Sequence, residues 1–249
     1  MTRAEAIAAW LGERASATGA RGFVVGLSGG VDSALVAKLC QMAMPHHVVG
    51  VTLPCYSHPQ DQADARLVAR TFGIPVVNVD LGSTFDAMTG ALADAVKGLP
   101  KQVDVVDIKQ QMPEANIKPR LRMASLYFVA NSLNYLVAGT GNRSEIVLGY
   151  YTKYGDGGVD LLPIGGLLKS EVRAMARALG IPSSVVDKVP TAGLWMGQTD
   201  EAEMGFTYDM LEAYLAKGPS TVTPAVAARI EELRAASDHK RALPPIGPI

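Results

Sequence analysis

Apolar positions along the chain follow two different periods. Short unbroken apolar runs sit at Phe23–Leu27 (FVVGL), Val48–Leu53 (VVGVTL), Val76–Val79 and Tyr135–Thr140 (YLVAGT), and each reads as a buried strand. Between them the apolar residues recur at helical spacing. Val31–Met44 carries its stripe on Leu35, Leu39 and Met42, and Asp61–Phe72 is a second helix, stopped by Gly73-Ile74-Pro75. Phe85–Val96, Leu121–Leu133 and Ser170–Leu179 complete the predicted helices of this part, the last closed by Gly180-Ile181-Pro182. The N-terminal stretch MTRAEAIAAWLGERASATGARG reads as an amphipathic helix, and Lys97–Glu114, of mixed polarity with two prolines, as a loop or mobile segment.

Strands that are apolar throughout, separated by helices, predict an α/β fold: a parallel sheet with helices on both faces. Right-handed crossovers make such a sheet doubly wound, with ligands bound at the carboxyl ends of its strands. Beyond Pro190 the character changes to an acidic stretch (GQTDEAEMGFTYDMLEAYL), then a helix and a basic, proline-rich tail. The expectation is one domain over residues 1–249, with a core at about 20–190 and a C-terminal helical appendage at about 191–249.

Composition narrows the partners. With 48% apolar residues, 249 residues are ample for a substantial core. The formal net charge of −1 gives no global reason to expect nucleic-acid or acidic-membrane binding, so any anion site must be built locally. Cys40 and Cys55 follow no metal-ligand spacing, and neither do His46, His47, His58 and His239. Two lone thiols suit a reducing compartment. The N-terminus lacks the apolar stretch of a signal peptide, and no run approaches the roughly 18 apolar residues of a membrane span. A cytoplasmic protein is expected.

The chemistry concentrates where the first strand meets its helix. Gly26, Leu27, Ser28, Gly29, Gly30, Val31, Asp32 and Ser33 form a Ser-Gly-Gly turn at a helix N-terminus. Unpaired amides and the helix dipole favour an anion there, and glycines let phosphates approach the backbone. Asp32 would repel phosphates unless a Mg²⁺ lay between them. The alternative is a plain helix cap by Ser28 or Asp32. The pattern is neither a Walker A loop nor the spaced-glycine dinucleotide fingerprint.

SGGVDS resembles the pyrophosphate-binding loop of the ATP pyrophosphatases, which cleave ATP between its α and β phosphates. Further segments narrow the resemblance. NIKPRLRM (Asn116–Met123), GTGNRSE (Gly139–Glu145), YTKYGDGGVDLLPIGGLLKSEVR (Tyr151–Arg173), PTAGLWMGQTDEAEMGFTY (Pro190–Tyr208) and SDHKR occur in the order seen in NAD synthetases. Together they resemble that family, in its ammonia-dependent form, because the nitrilase-like glutaminase domain of its larger members is missing. The resemblance implies ATP, deamido-NAD and ammonia as substrates, an adenylated nicotinate carboxylate as intermediate, and AMP and pyrophosphate as products. It assigns ATP contacts to the loop, Thr140, Lys169 and Thr191. It assigns Mg²⁺ to Asp32 and Glu145, and deamido-NAD to Arg120, Lys153, Asp160, His239 and Lys240. It also implies a homodimer with substrate lying across the interface.

Local readings stand beside these. Thr140 can cap a helix, with Glu145 as an acid favouring its dipole. Tyr151 and Tyr154 can stack on a ring or pack in the core. Arg120 and Arg122 are two residues apart, do not share a helix face, and are not given one role. Val31 replaces a frequent Gln and Gly193 a frequent Asp, and Gly141-Asn142-Arg143 departs from the usual small polar residues. Lys97–Pro113 and Ala192–Met204 are expected to close over ATP. The rivals are another ATP pyrophosphatase, such as a GMP synthetase-type ligase, and a non-catalytic nucleotide sensor.

Overall fold

The fold is described from a computed structural model, over residues 1–100, 103, 111–191, 193 and 197–247. Four parallel strands form one sheet in the order β3-β2-β1-β4. They are β1 (Phe23–Gly26), β2 (Val48–Thr52), β3 (Val76–Asn78) and β4 (Leu136–Val137). In register, Phe23 lies between Val48 on one side and Leu136 on the other. Sequence neighbours add strands outward from β1 to β3, and the chain then crosses back to place β4 on the other side of β1. That reversal opens a crevice between the carboxyl ends of β1 and β4.

Helices α1 (Arg3–Thr18), α2 (Val31–Ala43), α3 (Pro59–Phe72), α4 (Gly82–Lys97), α5 (Gln111–Ala115) and α6 (Ile117–Leu133) come before β4. After it come α7 (Arg143–Leu148), α8 (Lys169–Ala178), α9 (Ser183–Val186), α10 (Asp200–Met204), α11 (Tyr208–Lys217), α12 (Pro224–Ala236) and α13 (Asp238–Arg241). Alternation along β1 sends its side chains to two separate cores. Phe23 and Val25 join Leu11, Leu35, Leu39, Val172 and Val185 on one face, while Val24 joins Val51, Leu53, Ala130 and Val137 on the other. A third cluster of Leu148, Met204, Phe206, Leu211 and Ile230 seats α11 and α12 against α7.

Two expected elements differ most in extent. The fourth strand is confined to Leu136–Val137 rather than running from Tyr135 to Thr140. Beyond it Ala138 makes a single parallel bridge to Leu161, and Gly139 packs so closely on Val159 that a Cβ there would lie 2.6 Å from that side chain. The chain leaves the sheet at that point. The sixth helix starts at Ile117, before the expected Leu121. Pro119 falls in its first turn, where the missing N–H has no helical partner to lose. Half of the expected loop at Lys97–Glu114, residues 101–102 and 104–110, lies outside the described residues, while Lys97 ends α4 and residues 111–114 belong to the helix α5.

Candidate active site

A cavity of about 450 Å³ opens at the carboxyl ends of β1, β2 and β4. Its floor is the turn from Gly26 to Ser33, minus Gly29, whose backbone is pressed against α3. Gly29 has a φ of +80°, and a Cβ placed on it would lie 2.2 Å from Asp61 O. Only glycine satisfies both constraints. Gly30 is the N-cap of α2, and no side chain caps the helix. The capping alternative is therefore not what the chain adopts: the first amides of α2 are left to the cavity. Ser33 Oγ donates to Gly30 O at 2.9 Å and lies 3.1 Å from Ser28 Oγ, so the two hydroxyls stiffen the turn from inside. Val31 is buried in the core, as its position in the loop motif implied.

Asp32, in the first turn of α2, faces a charged centre. Lys169 Nζ lies 2.5 Å from Asp32 Oδ2 and 3.6 Å from Glu145 Oε1. Asn142 Nδ2 donates to Asp32 Oδ1 at 2.9 Å. Asn142 is also the N-cap of α7, with Glu145 N donating to its Oδ1 at 3.1 Å and its own N donating to Glu145 Oε2 at 3.1 Å. This reciprocal capping box aims Glu145 across the cavity at Lys169. The helix cap is thus Asn142, not Thr140, and Glu145 both favours the dipole and belongs to the charged centre. Lys169 is 4% exposed, so its charge rests on these carboxylates. Burial pulls its pKa down, but Asp32 and Glu145 outweigh that and raise it. Burial, and then the charge of Asp32, push the Glu145 carboxyl up to about 8. One ammonium does not balance two carboxylates here.

The remaining walls carry further polar groups. Asp200 Oδ2 accepts from Tyr208 OH at 2.8 Å, and the Lys169 ammonium sits 5.3 Å from the centre of the Tyr208 ring. Lys188 Nζ bridges Asp61 and Asp64, at 2.7 Å from each. Arg122 donates from Nε to Leu53 O at 3.2 Å and from Nη2 to Ser57 Oγ at 3.3 Å. Oxygen donors and cations around a glycine turn suit a triphosphate with a hard cation.

Comparison with known proteins gives the same direction. The family model for NAD synthase matches residues 3–244. The chain belongs to the NAD synthase family. A curated relative, the NH(3)-dependent NAD(+) synthetase of Carboxydothermus hydrogenoformans, is 45% identical over 98% of this chain and 96% of its own. Among solved structures, the NMN synthetase of Francisella tularensis superposes with a TM-score of 0.89 at 33% identity, covering 99% of this chain and 98% of that one. The NH3-dependent NAD synthetase of Campylobacter jejuni gives a TM-score of 0.77 at 28% identity, covering 100% of both chains. Membership makes the chain an ammonia-dependent NAD synthetase and a ligase by family, and gives no support to the GMP synthetase-type and sensor alternatives.

Within that family frame, the ATP residues expected from sequence come together. The loop except Gly29, Thr140, Lys169 and Thr191 line one cavity, with Asp32 and Glu145. The deamido-NAD residues do not all join them. Lys240 lines the cavity, donates to Gly149 O and Tyr151 O at 2.7 Å each, and sits 5.3 Å from the Tyr151 ring centre. Arg120 is exposed and donates to Lys153 O at 3.5 Å, while Lys153 Nζ donates to His239 O. These three form a chain outside the cavity. Asp160 is also outside: its Oδ2 accepts from Val137 N at 2.8 Å and its Oδ1 from Tyr127 OH at 3.0 Å. The side chain thereby supplies the hydrogen bond that an edge strand would. Arg122 rather than Arg120 reaches the cavity, as their different helix faces require. Tyr151 lines the cavity, and Tyr154 is exposed. Arg143 is exposed, and Gly193 lies on the cavity wall. Of the expected covering segment, residues 192 and 194–196 lie outside the described residues.

Residues 237–241 close the far end of α7. Ser237 Oγ donates to Leu148 O at 3.0 Å, and Arg241 Nη1 donates to Ile146 O and Val147 O at 3.2 Å each. At Gly149 a Cβ would lie 2.1 Å from that of Ser237.

Sequence reasoning missed Asn142, Asp200 and Lys188. Asn142 had a readable signal, the N-x-x-E capping box. For Asp200 and Lys188 only the folded chain brings their partners together.

Proposed function

We propose that the chain amidates the nicotinate carboxylate of deamido-NAD, using ATP to form an acyl adenylate that ammonia then opens. The observation that carries this reading is the uncapped N-terminus of α2 beside Asp32, Glu145 and Lys169. The amides of the turn bind the β and γ phosphates, and Lys169 turns from Asp32 toward them. The chain's part is to align carboxylate and α-phosphate and to hold charge in place. Pyrophosphate leaves first, and AMP leaves when ammonia attacks the acyl carbon.

Mg²⁺ fits Asp32 and Glu145. Two mostly buried carboxylates face one ammonium, and burial, followed by the charge of Asp32, pushes the Glu145 carboxyl well above its usual range. Among the described residues no three acidic, His or Cys side chains enclose an ion by themselves, which suits a cation completed by phosphate oxygens. When bound, the ion offsets the charge of the phosphates. A homodimer is supported by apolar side chains on neighbouring helices: Phe128 of α6 is 75% exposed, with Met88, Leu92 and Val96 of α4 also exposed. No described helix is long and apolar enough to cross a membrane. A cytoplasmic location and a core with a C-terminal appendage remain part of the proposal.

Incubation with ATP, Mg²⁺, deamido-NAD and ammonium should yield NAD, AMP and pyrophosphate. Formation of ADP, or product without a pyridine-nucleotide acid, would sink the reading. A second reading draws on the Francisella tularensis NMN synthetase, whose TM-score exceeds that of the Campylobacter jejuni enzyme. It takes nicotinate mononucleotide as the acid. A kcat/KM about tenfold higher for the mononucleotide than for deamido-NAD would select it.

A further inference from the structure

One carboxylate oxygen in the cavity wall has no hydrogen-bond partner among the described residues. Asp200 opens α10, lines the cavity and is 4% exposed. Its Oδ2 is satisfied by Tyr208, and its buried Oδ1 has no partner in hydrogen-bond geometry among the described residues, the neighbouring Tyr150 hydroxyl being directed to Glu203. Leaving a buried carboxylate oxygen unpaired costs about 1–3 kcal/mol or more. Such a cost is kept where a ligand relieves it.

The surrounding charge says which ligand. Asp32, Glu145 and Asp200 line one cavity, and Lys169 is ion-paired with the first two but not with Asp200. Its ammonium sits instead 5.3 Å from the centre of the ring of Tyr208, whose hydroxyl holds Asp200. Three carboxylates facing one ammonium leave an excess of negative charge in a largely desolvated place. A hard divalent cation answers both the excess and the oxygen donor. The three acids do not gather around one point. An ion at Asp200 therefore completes its ligands with donors other than these three acids, and phosphate oxygens are the donors the cavity is built to receive.

We infer that Asp200 is a further metal-binding carboxylate, which takes a divalent cation carried on the phosphates and separate from the one between Asp32 and Glu145. This rests on the ATP reading above. Two cations on one polyphosphate stabilise the bond-breaking oxygens from both sides. Asp200 N also donates to Pro190 O at 3.2 Å, which ties the carboxylate to the stretch carrying Thr191. Cation binding and the placing of Thr191 are thereby coupled.

The probe is Mn²⁺, with free ion followed by electron paramagnetic resonance in the presence of α,β-methylene-ATP. Asp200→Asn keeps an acceptor for Tyr208 but removes the charge. It should bind Mn²⁺ with the analogue at least about tenfold more weakly than the unaltered protein. Equal affinity in a variant with unchanged circular dichroism would overturn the inference. So would a raised KM for ammonium with Mn²⁺ binding intact, since that assigns the oxygen to ammonium instead. Anomalous diffraction from crystals of the unaltered protein with Mn²⁺ and the analogue gives a test independent of the variant's folding. A peak against Asp200 Oδ1 is expected, and peaks confined to Asp32 and Glu145 would overturn the inference alone. If the unaltered protein shows no analogue-dependent Mn²⁺ uptake, the ATP reading itself falls, and the inference with it.

Discussion

Replacing Gly29 by alanine strains the phosphate loop where it is tightest. Two costs add. An alanine at φ +80° pays for the left-handed region, about 1–2 kcal/mol. Its Cβ would also stand 2.2 Å from Asp61 O and 3.0 Å from Asp61 C, a clash with backbone that no rotamer relieves. Either the loop or the first turn of α3 must shift by about 1 Å, at a further cost of about 1–3 kcal/mol. The sum is about 2–5 kcal/mol. At about 2–4 °C per kcal/mol for a chain of this size, the melting temperature should fall by roughly 5–15 °C. A displacement of that size also misaligns the triphosphate and should lower kcat/KM for ATP about 100-fold. Calorimetry and a pyrophosphate-release assay read the two effects. Gly30→Ala is the internal control. Gly30 has a φ of −94°, and a Cβ there meets nothing closer than Ser28 Oγ at 3.4 Å. Its stability should change by no more than about 1 kcal/mol. If Gly29→Ala melts with Gly30→Ala, the steric account of the loop is wrong.

Lys169→Met leaves Asp32 and Glu145 facing each other without their ammonium; urea denaturation should show a loss of about 3 kcal/mol, and nucleotide turnover should disappear. Asn142→Asp keeps the helix cap but sets a second carboxylate against Asp32 Oδ1, now 2.9 Å from Asn142 Nδ2. Turnover should fall at least about tenfold while the melting temperature moves little, and unchanged turnover would show that this contact does not matter. Asp160→Asn weakens the bonds to Val137 N and Tyr127 OH, so stability should fall by about 1–2 kcal/mol with the KM for deamido-NAD unchanged. A raised KM at constant stability would instead make Asp160 a substrate contact. Phe128→Glu should shift sedimentation from dimer to monomer without lowering the helical circular dichroism, and a dimer that persists would place the interface elsewhere.

The strands, the parallel α/β arrangement and the anion-ready turn were legible because each depends on local pattern. An apolar run of the right length has few alternatives to a buried strand, and a Ser-Gly-Gly turn between strand and helix has few to a tight turn at a helix N-terminus. The short fourth strand was not legible. Its end is set by Val159 and Asp160, which arrive from more than twenty residues later and take over the edge. For the same reason Asp160 reads from sequence as a free acid. Lys169 shows the opposite case. A cation at a helix start is unfavourable for the dipole and needs an anion nearby, and in the folded chain Asp32 and Glu145 provide it before any nucleotide does. Asp200 and Lys188 each meet their partners only through tertiary packing, so no spacing announces them.

The clasp of Ser237, Lys240 and Arg241 on the end of α7 has a consequence for biosynthesis. The helix that presents Glu145 is finished by side chains that leave the ribosome about ninety residues after it. Until Arg241 emerges, the carbonyls of Ile146, Val147, Leu148 and Gly149 have no such donors. A nascent chain already holding its glycine turn thus still carries an α7 whose C-terminal carbonyls lack these donors. Closure of that end of α7 waits until residues 237–241 have been made.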